Sequence, residues 1–231
     1  MIYLRKAEDR GHAQHGWLDS WHTFSFAGYH DPEFMGFSAL RVINEDIIAP
    51  GQGFGAHPHK DMEILTYVLS GAVEHKDSMG NKEQIQAGEF QIMSAGTGVR
   101  HSEYNPSSTD PLHLYQIWII PERAGIEPRY AQRKFAAKQG RQWVLTPDGR
   151  EESLIVWQDM TLSRWALLAG EQDKLSLEAG RNTWIQVVKG NLIINGQQVN
   201  TSDALALRDE DALDITADSD AEILIFDLPP V

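Results

Sequence analysis

The sequence predicts an all-β protein made of two barrels, with few short helices. Apolar residues come in short runs rich in Val, Ile, Leu, Phe and Trp, and Gly, Asn, Asp or Pro separates one run from the next. This pattern is typical of a sandwich or barrel rather than of alternating strand and helix units. The clearest predicted strands are residues 38–43, 64–69 and 114–120.

The chain also repeats one arrangement of strands and turns. An apolar run at residues 40–43 is followed by a strand that ends at Gly71, and a run at residues 165–168 is followed by a strand that ends at Gly190. We therefore interpret Gly71 and Gly190 as equivalent turns. Two copies of one barrel explain the length of 231 residues better than a single large sheet does.

The repeat predicts the domain boundaries. Residues 1–125 form the first domain, residues 126–145 form a connector, and residues 146–231 form the second domain. Helical periodicity is strongest at residues 129–139, and residues 121–141 carry six basic and two acidic groups. This combination favours a connector that contains a short amphipathic helix.

Composition excludes several classes of function. The chain has no Cys, so disulfides, thiolate metal sites and cysteine nucleophiles are excluded. The net charge of −13 opposes direct binding to nucleic acid, which needs a basic surface. No apolar run of about 18 residues is present, and the N-terminus becomes charged too early for a signal peptide. We expect a cytoplasmic protein that does not bind membranes and is a monomer or weak oligomer.

The histidines are confined to the first half of the chain. All nine lie at or before His113, and the last 118 residues contain none. Where the first copy of the repeat has His57 and His59, we place Gln186 and Val188 in the second copy. Only the first barrel can therefore build an imidazole metal site, and we expect the second to be a degenerate barrel without metal ligands.

Two triplets carry the candidate metal site. His57-Pro58-His59 and His101-Ser102-Glu103 each place two potential ligands two residues apart, and such residues emerge on the same face of a strand. If the two strands face each other, three imidazoles and one carboxylate converge. That ligand set suits a single divalent transition metal ion, namely Fe, Mn, Co, Ni, Cu or Zn.

The sequence leaves two carboxylates open as the fourth ligand. Glu63 lies four residues beyond His59, about 13 Å along a regular strand, and would need a bulge to return to the site. Glu103 is only two residues from His101. We favour Glu103 and keep Glu63 as an alternative ligand or as a partner of the ligands.

These motifs resemble the pirin family of the cupin superfamily. The spacing from Gly51 through His57-Pro58-His59 to Glu63 matches the opening of the first cupin motif, although the closing glycine falls one place late, at Gly71. The second cupin motif resembles residues 88–105, but Ser94 stands at its usual proline and two extra residues precede His101. Both departures resemble features of the pirin motifs. The segments that resemble pirin motifs are residues 21–26, 53–63 and 96–105, within a dense match over residues 15–120.

The pirin resemblance implies two cupin barrels, with His57, His59, His101 and Glu103 as metal ligands. It also implies quercetin 2,3-dioxygenase activity of the flavonol 2,4-dioxygenase type, in which a flavonol and O2 react, the ring opens and CO is released. The metal lowers the pKa of the flavonol 3-hydroxyl, and Glu103 or a nearby carboxylate serves as the base. The alternative that the family implies is a metal-dependent protein-interaction or regulatory role without turnover. A third hypothesis is another cupin reaction, such as an isomerisation.

The remaining candidates have plainer interpretations. We expect His22 to be a core histidine bonded to the backbone. We expect the other histidines to lie on the surface or in loops: His12, His15, His30, His75 and His113. A planar substrate needs an apolar mouth, for which the hypothetical lining residues are Phe24, Phe26, Phe37 and Met93.

Overall fold

The structure is a computed structural model that describes residues 1–230, and these fall into two compact units. The N-terminal barrel comprises residues 11–136 and 156–158. The C-terminal barrel comprises residues 1–10, 137–155 and 159–230. The first strand of the chain therefore belongs to the same unit as the last strands.

Strand β1 (Ile2–Arg5) belongs to the C-terminal barrel, and the next eleven strands build the N-terminal barrel. These are β2 (Gly11–Gln14), β3 (Leu18–His22), β4 (Leu40–Ile48), β5 (Gly53–His59), β6 (Glu63–Ser70), β7 (Ala72–Asp77), β8 (Lys82–Gln86), β9 (Glu89–Ser94), β10 (Val99–Tyr104), β11 (Leu112–Ile119) and β12 (Arg129–Lys134). They form a seven-stranded sheet in the order β12-β9-β6-β11-β4-β3-β2 and a four-stranded sheet in the order β5-β10-β7-β8.

The C-terminal barrel repeats this architecture. Its further strands are β13 (Gly140–Thr146), β14 (Leu154–Ile155), β15 (Thr161–Leu167), β16 (Gln172–Ser176), β17 (Asn182–Lys189), β18 (Leu192–Ile194), β19 (Gln197–Val199), β20 (Ala204–Arg208), β21 (Ala212–Ala217) and β22 (Ala221–Leu228). The seven-stranded sheet has the order β1-β20-β17-β22-β15-β13-β14, and the four-stranded sheet has the order β16-β21-β18-β19.

The predicted fold class is confirmed. The three clearest apolar runs are strands β4, β6 and β11, which pair as neighbours in one sheet. Helical structure in residues 1–230 is limited to two 3-10 turns, Ala7–Asp9 and Arg150–Glu152. None of the helices in this range has the length and apolar character needed to cross a bilayer.

The short helix predicted in the connector is wrong. Residues 129–134 form strand β12, which extends the large N-terminal sheet by pairing with β9, so that Tyr130 lies opposite Met93. The basic side chains that suggested an amphipathic helix instead lie on an edge strand, where all but the last residue are half-buried. The large sheet supplies backbone partners that the local sequence does not reveal.

The repeat is present, but one of its predicted equivalences is wrong. Gly71 and Gly190 do occupy equivalent turns, after β6 and β17, and both have positive φ. A Cβ at Gly71 would lie 3.0 Å from the backbone oxygen of Pro111, and a Cβ at Gly190 would lie 2.4 Å from that of Asp220. Gln186 and Val188, however, lie on β17, which is the counterpart of β6. The strand that corresponds to the His57 strand is β16.

Candidate metal centre

The three histidines lie on two neighbouring antiparallel strands. His57 and His59 are on β5, and His101 lies directly opposite His57 on β10. Between His101 and Glu103 the register with β5 shifts by one extra β5 residue, while β10 keeps its regular alternation and both side chains stay buried. Gly53 permits the close approach of the two strands, because a Cβ there would lie 2.2 Å from the backbone oxygen of Glu103.

Strand β5 is the edge of its sheet. This position explains why Pro58 is tolerated between the two histidines, since proline has no N–H to donate to a second neighbouring strand. It also leaves the β5 side chains half-buried or exposed, whereas His101 is buried. The candidate site therefore has one deeply buried histidine and two histidines nearer the solvent.

The imidazole rings of His57, His59 and His101 surround one point. Their centroids are 4.5 to 4.8 Å apart, and one potential ligand atom from each lies within 4.8 Å of the others. The Nε2 atoms of His57 and His101 are 3.0 Å apart. Divalent first-row ions bind imidazole nitrogen at about 2.1 Å, so two such ligands at right angles lie about 3 Å apart. The three side chains fit a metal ion.

The environment of the imidazoles also fits metal binding. Burial and the neighbouring histidines lower the pKa of His59 to about 4 and that of His101 to about 3. His57 donates from Nδ1 to the carbonyl oxygen of Gly55 over 2.7 Å, which leaves Nε2 as the nitrogen that faces His101. At neutral pH His59 and His101 are uncharged and offer lone pairs.

Glu103 is buried next to His101 and is held by polar side chains. Its Oε2 accepts a hydrogen bond from Nε2 of Gln116 at 2.8 Å, and its Oε1 accepts one from Thr66 at 3.4 Å. Trp118 donates from Nε1 to Gln116 and packs edge-on against His59. By distance Glu103 groups with His75 and His101, whereas His57 and His59 group with His101. His101 is common to both groups.

Glu63 lies apart from these groups. It is fully buried at the start of β6, and its Oε2 accepts hydrogen bonds from Ser94 Oγ at 3.0 Å and from the backbone N–H of Trp157 at 3.2 Å. Burial raises the pKa of its carboxyl above the usual range. The structure thus places the alternative carboxylate of the sequence analysis in a separate hydrogen-bonded pocket.

A cavity of about 670 Å³ opens onto the candidate metal centre. Its volume is within the range of small-molecule sites. Both aromatic and polar side chains line it. The lining residues include Phe26, Tyr29, Phe54 and Trp118, together with Ser20, Asn44, Asp46, His57, His59, Glu103 and Gln116. Of the four residues proposed as an apolar mouth, Phe26 lines the cavity, and Phe24, Phe37 and Met93 are buried elsewhere in the barrel.

Sequence reasoning missed Asp46 as a cavity residue. Its carboxyl is buried and accepts a hydrogen bond from Ser20, and burial raises its pKa to about 7. A carboxyl that titrates near neutrality is suited to exchanging a proton with a ligand in the cavity. The alternation of β4 could have revealed it, because a charged residue at an inward position of a strand needs a special reason.

Several histidines have a further place in the structure. His12 and His15 are exposed, as expected, and they also line the cavity. His22 is buried, as expected of a core histidine; its Nδ1 lies 2.9 Å from Oδ1 of Asn44, and the residue lines the same cavity. His75 is wholly buried in β7, and the prediction that it lies on the surface is wrong.

Comparisons with known proteins agree along the whole chain. A family model described as Pirin matches residues 4–119, and one described as Quercetinase C-terminal cupin domain matches residues 143–228. The chain is 72% identical to a quercetin 2,3-dioxygenase of Escherichia coli K12 over 231 residues, with all of both chains covered. It is 40% identical to a pirin-like protein of Caulobacter vibrioides, covering 98% of this chain and 99% of that one.

The crystal structure of the bacterial pirin YhhW from Escherichia coli in complex with nickel(II) has a TM-score of 0.98 to this structure. The two chains are 72% identical, and the alignment covers all of each.

Proposed function

Because the chain belongs to the pirin family, we propose that it is a metal-dependent dioxygenase that cleaves flavonols such as quercetin. A relative 72% identical over its full length is a quercetin 2,3-dioxygenase, and a structure of the same identity carries nickel(II). The proposal requires one divalent transition metal ion per chain, a cavity for a planar aromatic molecule, and a group that accepts a proton.

The observation that carries the proposal is a cluster of three imidazoles, two of which, those of His57 and His59, line the aromatic cavity. We assign His57, His59 and His101 as metal ligands and Glu103 as the fourth. A bound divalent ion acts as a Lewis acid that lowers the pKa of a coordinated hydroxyl. The ligand set accommodates Fe, Mn, Co, Ni, Cu or Zn, so it is the cavity, rather than the choice of ion, that supports a flavonol as substrate.

The side chains of the cavity supply the rest of the reaction. Phe26 and Trp118 offer aromatic faces and edges to a planar flavonol. Glu103 is placed to accept the proton of the 3-hydroxyl, and the hydrogen bond from Gln116 holds its carboxylate in position. The resulting flavonolate supplies the electrons for O2. Both oxygen atoms enter the ring-opened ester product, and one ring carbon leaves as CO.

The first test is reconstitution of the metal-free protein with Fe, Mn, Co, Ni or Cu. We expect quercetin and O2 to be consumed together, with release of CO. In the double variant His57→Ala/His101→Ala, turnover should fall by more than about 100-fold, because loss of even an outer partner of a metal ligand costs 10–100-fold. His30→Ala, which alters an exposed histidine outside the cavity, is the control.

Flavonol turnover that survives the loss of both histidines would overturn the proposal. Metal binding without any turnover, together with a protein partner captured only in the metal-loaded state, would favour the regulatory alternative. Conversion of a substrate with O2 excluded would favour an isomerase-type reaction.

A further inference from the structure

A buried histidine behind the metal centre has no part in the proposed reaction. His75 lies on β7 with no exposed surface, directly opposite Glu103 on β10. Its ring centroid is 5.3 Å from that of His101 and 4.7 Å from that of Tyr130. A polar ring in this position needs hydrogen-bond partners, because leaving a buried nitrogen unpaired costs free energy.

One nitrogen of His75 is paired with a carboxylate. Its Nε2 is 2.9 Å from Oδ2 of Asp77, which also accepts from Nδ2 of Asn81 at 2.8 Å. The other oxygen, Oδ1, accepts the backbone N–H groups of Met79 and Asn81. Although burial opposes it, these hydrogen bonds lower the pKa of Asp77. A carboxylate only accepts, so Nε2 of His75 carries a proton, and in the neutral ring the lone pair then lies on Nδ1.

The ring of His101 has an N–H group that needs an acceptor. When its Nε2 lone pair faces the metal position, its proton must lie on Nδ1, and that N–H needs an acceptor. Within residues 1–230, the Nδ1 atoms of both His101 and His75 are buried without a hydrogen-bond partner. The ring centroids are 5.3 Å apart, a separation that matches two imidazoles joined by a hydrogen bond between facing ring nitrogens.

We propose that His75 is a positioning residue for the metal centre: it accepts the Nδ1–H of His101, and Asp77 fixes the tautomer that makes this possible. The chain of hydrogen bonds runs from Asp77 through His75 to His101. It orients the His101 ring and makes its Nε2 a more basic metal ligand. Outer partners of metal-bound histidines commonly have this effect. The inference rests on the proposed metal centre but not on the identity of the substrate.

The tautomers give the most direct test. In protein labelled with 15N and loaded with Zn²⁺, a diamagnetic probe, long-range 1H–15N correlation reports which ring nitrogen of each histidine is protonated. We expect His75 to be protonated at Nε2 and His101 at Nδ1. A His75 ring protonated at Nδ1 in the loaded protein would overturn the proposal, and this measurement needs no variant.

Metal affinity gives the second test. The Ni²⁺ dissociation constant, measured by competition with a chelator, should rise about 10–100-fold in His75→Leu, which removes the acceptor but keeps the bulk. His75→Asn retains an oxygen near the position of Nδ1 and should restore part of the affinity. An affinity of His75→Leu equal to that of the unmodified protein would contradict the proposal.

The matched control is His113→Leu. His113 is also a strand histidine of the N-terminal barrel whose Nε2 pairs with a carboxylate, that of Glu45 at 3.0 Å, but it belongs to neither group of potential metal ligands. We expect its Ni²⁺ affinity to be unchanged. Neither the tautomers nor the affinity depends on turnover, so a protein that binds Ni²⁺ and fails to cleave quercetin would refute the proposed function and leave this inference standing.

Discussion

Strands β10 and β21 occupy the same place in the two barrels, but the buried side chains of β10 are partly polar and those of β21 are apolar. Each is the second strand of a four-stranded sheet, in the orders β5-β10-β7-β8 and β16-β21-β18-β19. Alternate side chains of both strands are buried. The buried set on β10 is Val99, His101 and Glu103, and the set on β21 is Leu213, Ile215 and Ala217. The same strand position therefore carries either potential metal ligands or part of a packed core, according to its inward residues.

The two interiors are stabilised in different ways. The C-terminal barrel is filled by an apolar cluster that includes Leu192, Leu205, Leu213, Ile215 and Ile223, each at most 1% exposed. In the N-terminal barrel, buried polar groups are tied to one another, as in the bonds from Thr66 and Gln116 to Glu103. Such networks specify one arrangement of side chains but leave little net stability once the cost of burial is counted.

The largest expected effect on stability is in the apolar barrel. Leu213→Ala should lower the free energy of unfolding by about 2–5 kcal/mol, because it leaves a cavity where the side chain is fully buried. Ile193→Ala, on the neighbouring strand β18 but 38% exposed, should change it by about 0.5 kcal/mol or less. Thermal and denaturant unfolding measure both. If both variants lowered the free energy of unfolding equally, the apolar cluster would not be what stabilises this barrel.

A smaller effect should appear when pH changes, and it should come from the polar barrel. The pKa values of His59 and His101 lie near 4 and 3 in the fold, below the usual 6.5. The unfolded chain therefore binds more protons in this range, so stability that is present above pH 6.5 is lost as pH falls towards 4 and then 3. We expect these two histidines to lower the melting temperature of the metal-free protein between pH 7 and pH 4.5, while Asp46, whose pKa is raised to about 7, acts in the opposite direction.

The control for this pH effect is a variant that lacks one of the titrating rings. His59→Gln should show a smaller fall in melting temperature over the same pH range. If the melting temperature fell equally in the variant and in the unmodified protein, protonation of His59 would not be the cause of the fall.

The smallest expected effect distinguishes the two buried carboxylates of the N-terminal barrel. Glu63→Gln keeps an oxygen that can accept from Ser94 and the Trp157 backbone, so the Ni²⁺ affinity should stay unchanged. Glu103→Gln keeps the shape but removes the charge next to His101, and it should weaken Ni²⁺ binding. Chelator competition on both variants is the measurement. A loss in Glu63→Gln as large as that in Glu103→Gln would identify Glu63 as a ligand.

Much of the fold and of the candidate site was predictable, because both depend on local patterns. The runs that become β4, β6 and β11 are apolar enough to be recognised as strands in isolation. The His57 and His101 triplets were found because strand alternation alone puts residues two apart on one face. That Gly71 and Gly190 end equivalent strands was also visible, since a glycine that follows a long apolar run commonly marks a turn.

The errors lie where a distant strand decides the outcome. The stretch Glu74-His75-Lys76-Asp77 has the composition of a surface strand, yet β7 lies between β10 and β8, and this position buries His75. Residues 129–134 have the composition of an amphipathic helix, yet they pair with β9 as an antiparallel strand. Likewise, the counterpart of the His57 strand could be assigned only from sheet order.

The sequence alone determined the all-β class, the repeat and the absence of thiolate chemistry. It also predicted His57, His59, His101 and Glu103 as ligands, from a spacing of two residues along a strand and from the pirin resemblance, and it left Glu63 open. Only the tertiary structure decided that Glu63 bonds Ser94 while Glu103 lies beside His101, that Asp46 faces the cavity, and that His75 stands behind the metal centre. These facts depend on which strands become neighbours, and strand pairing joins residues that are far apart in the chain and share no local pattern.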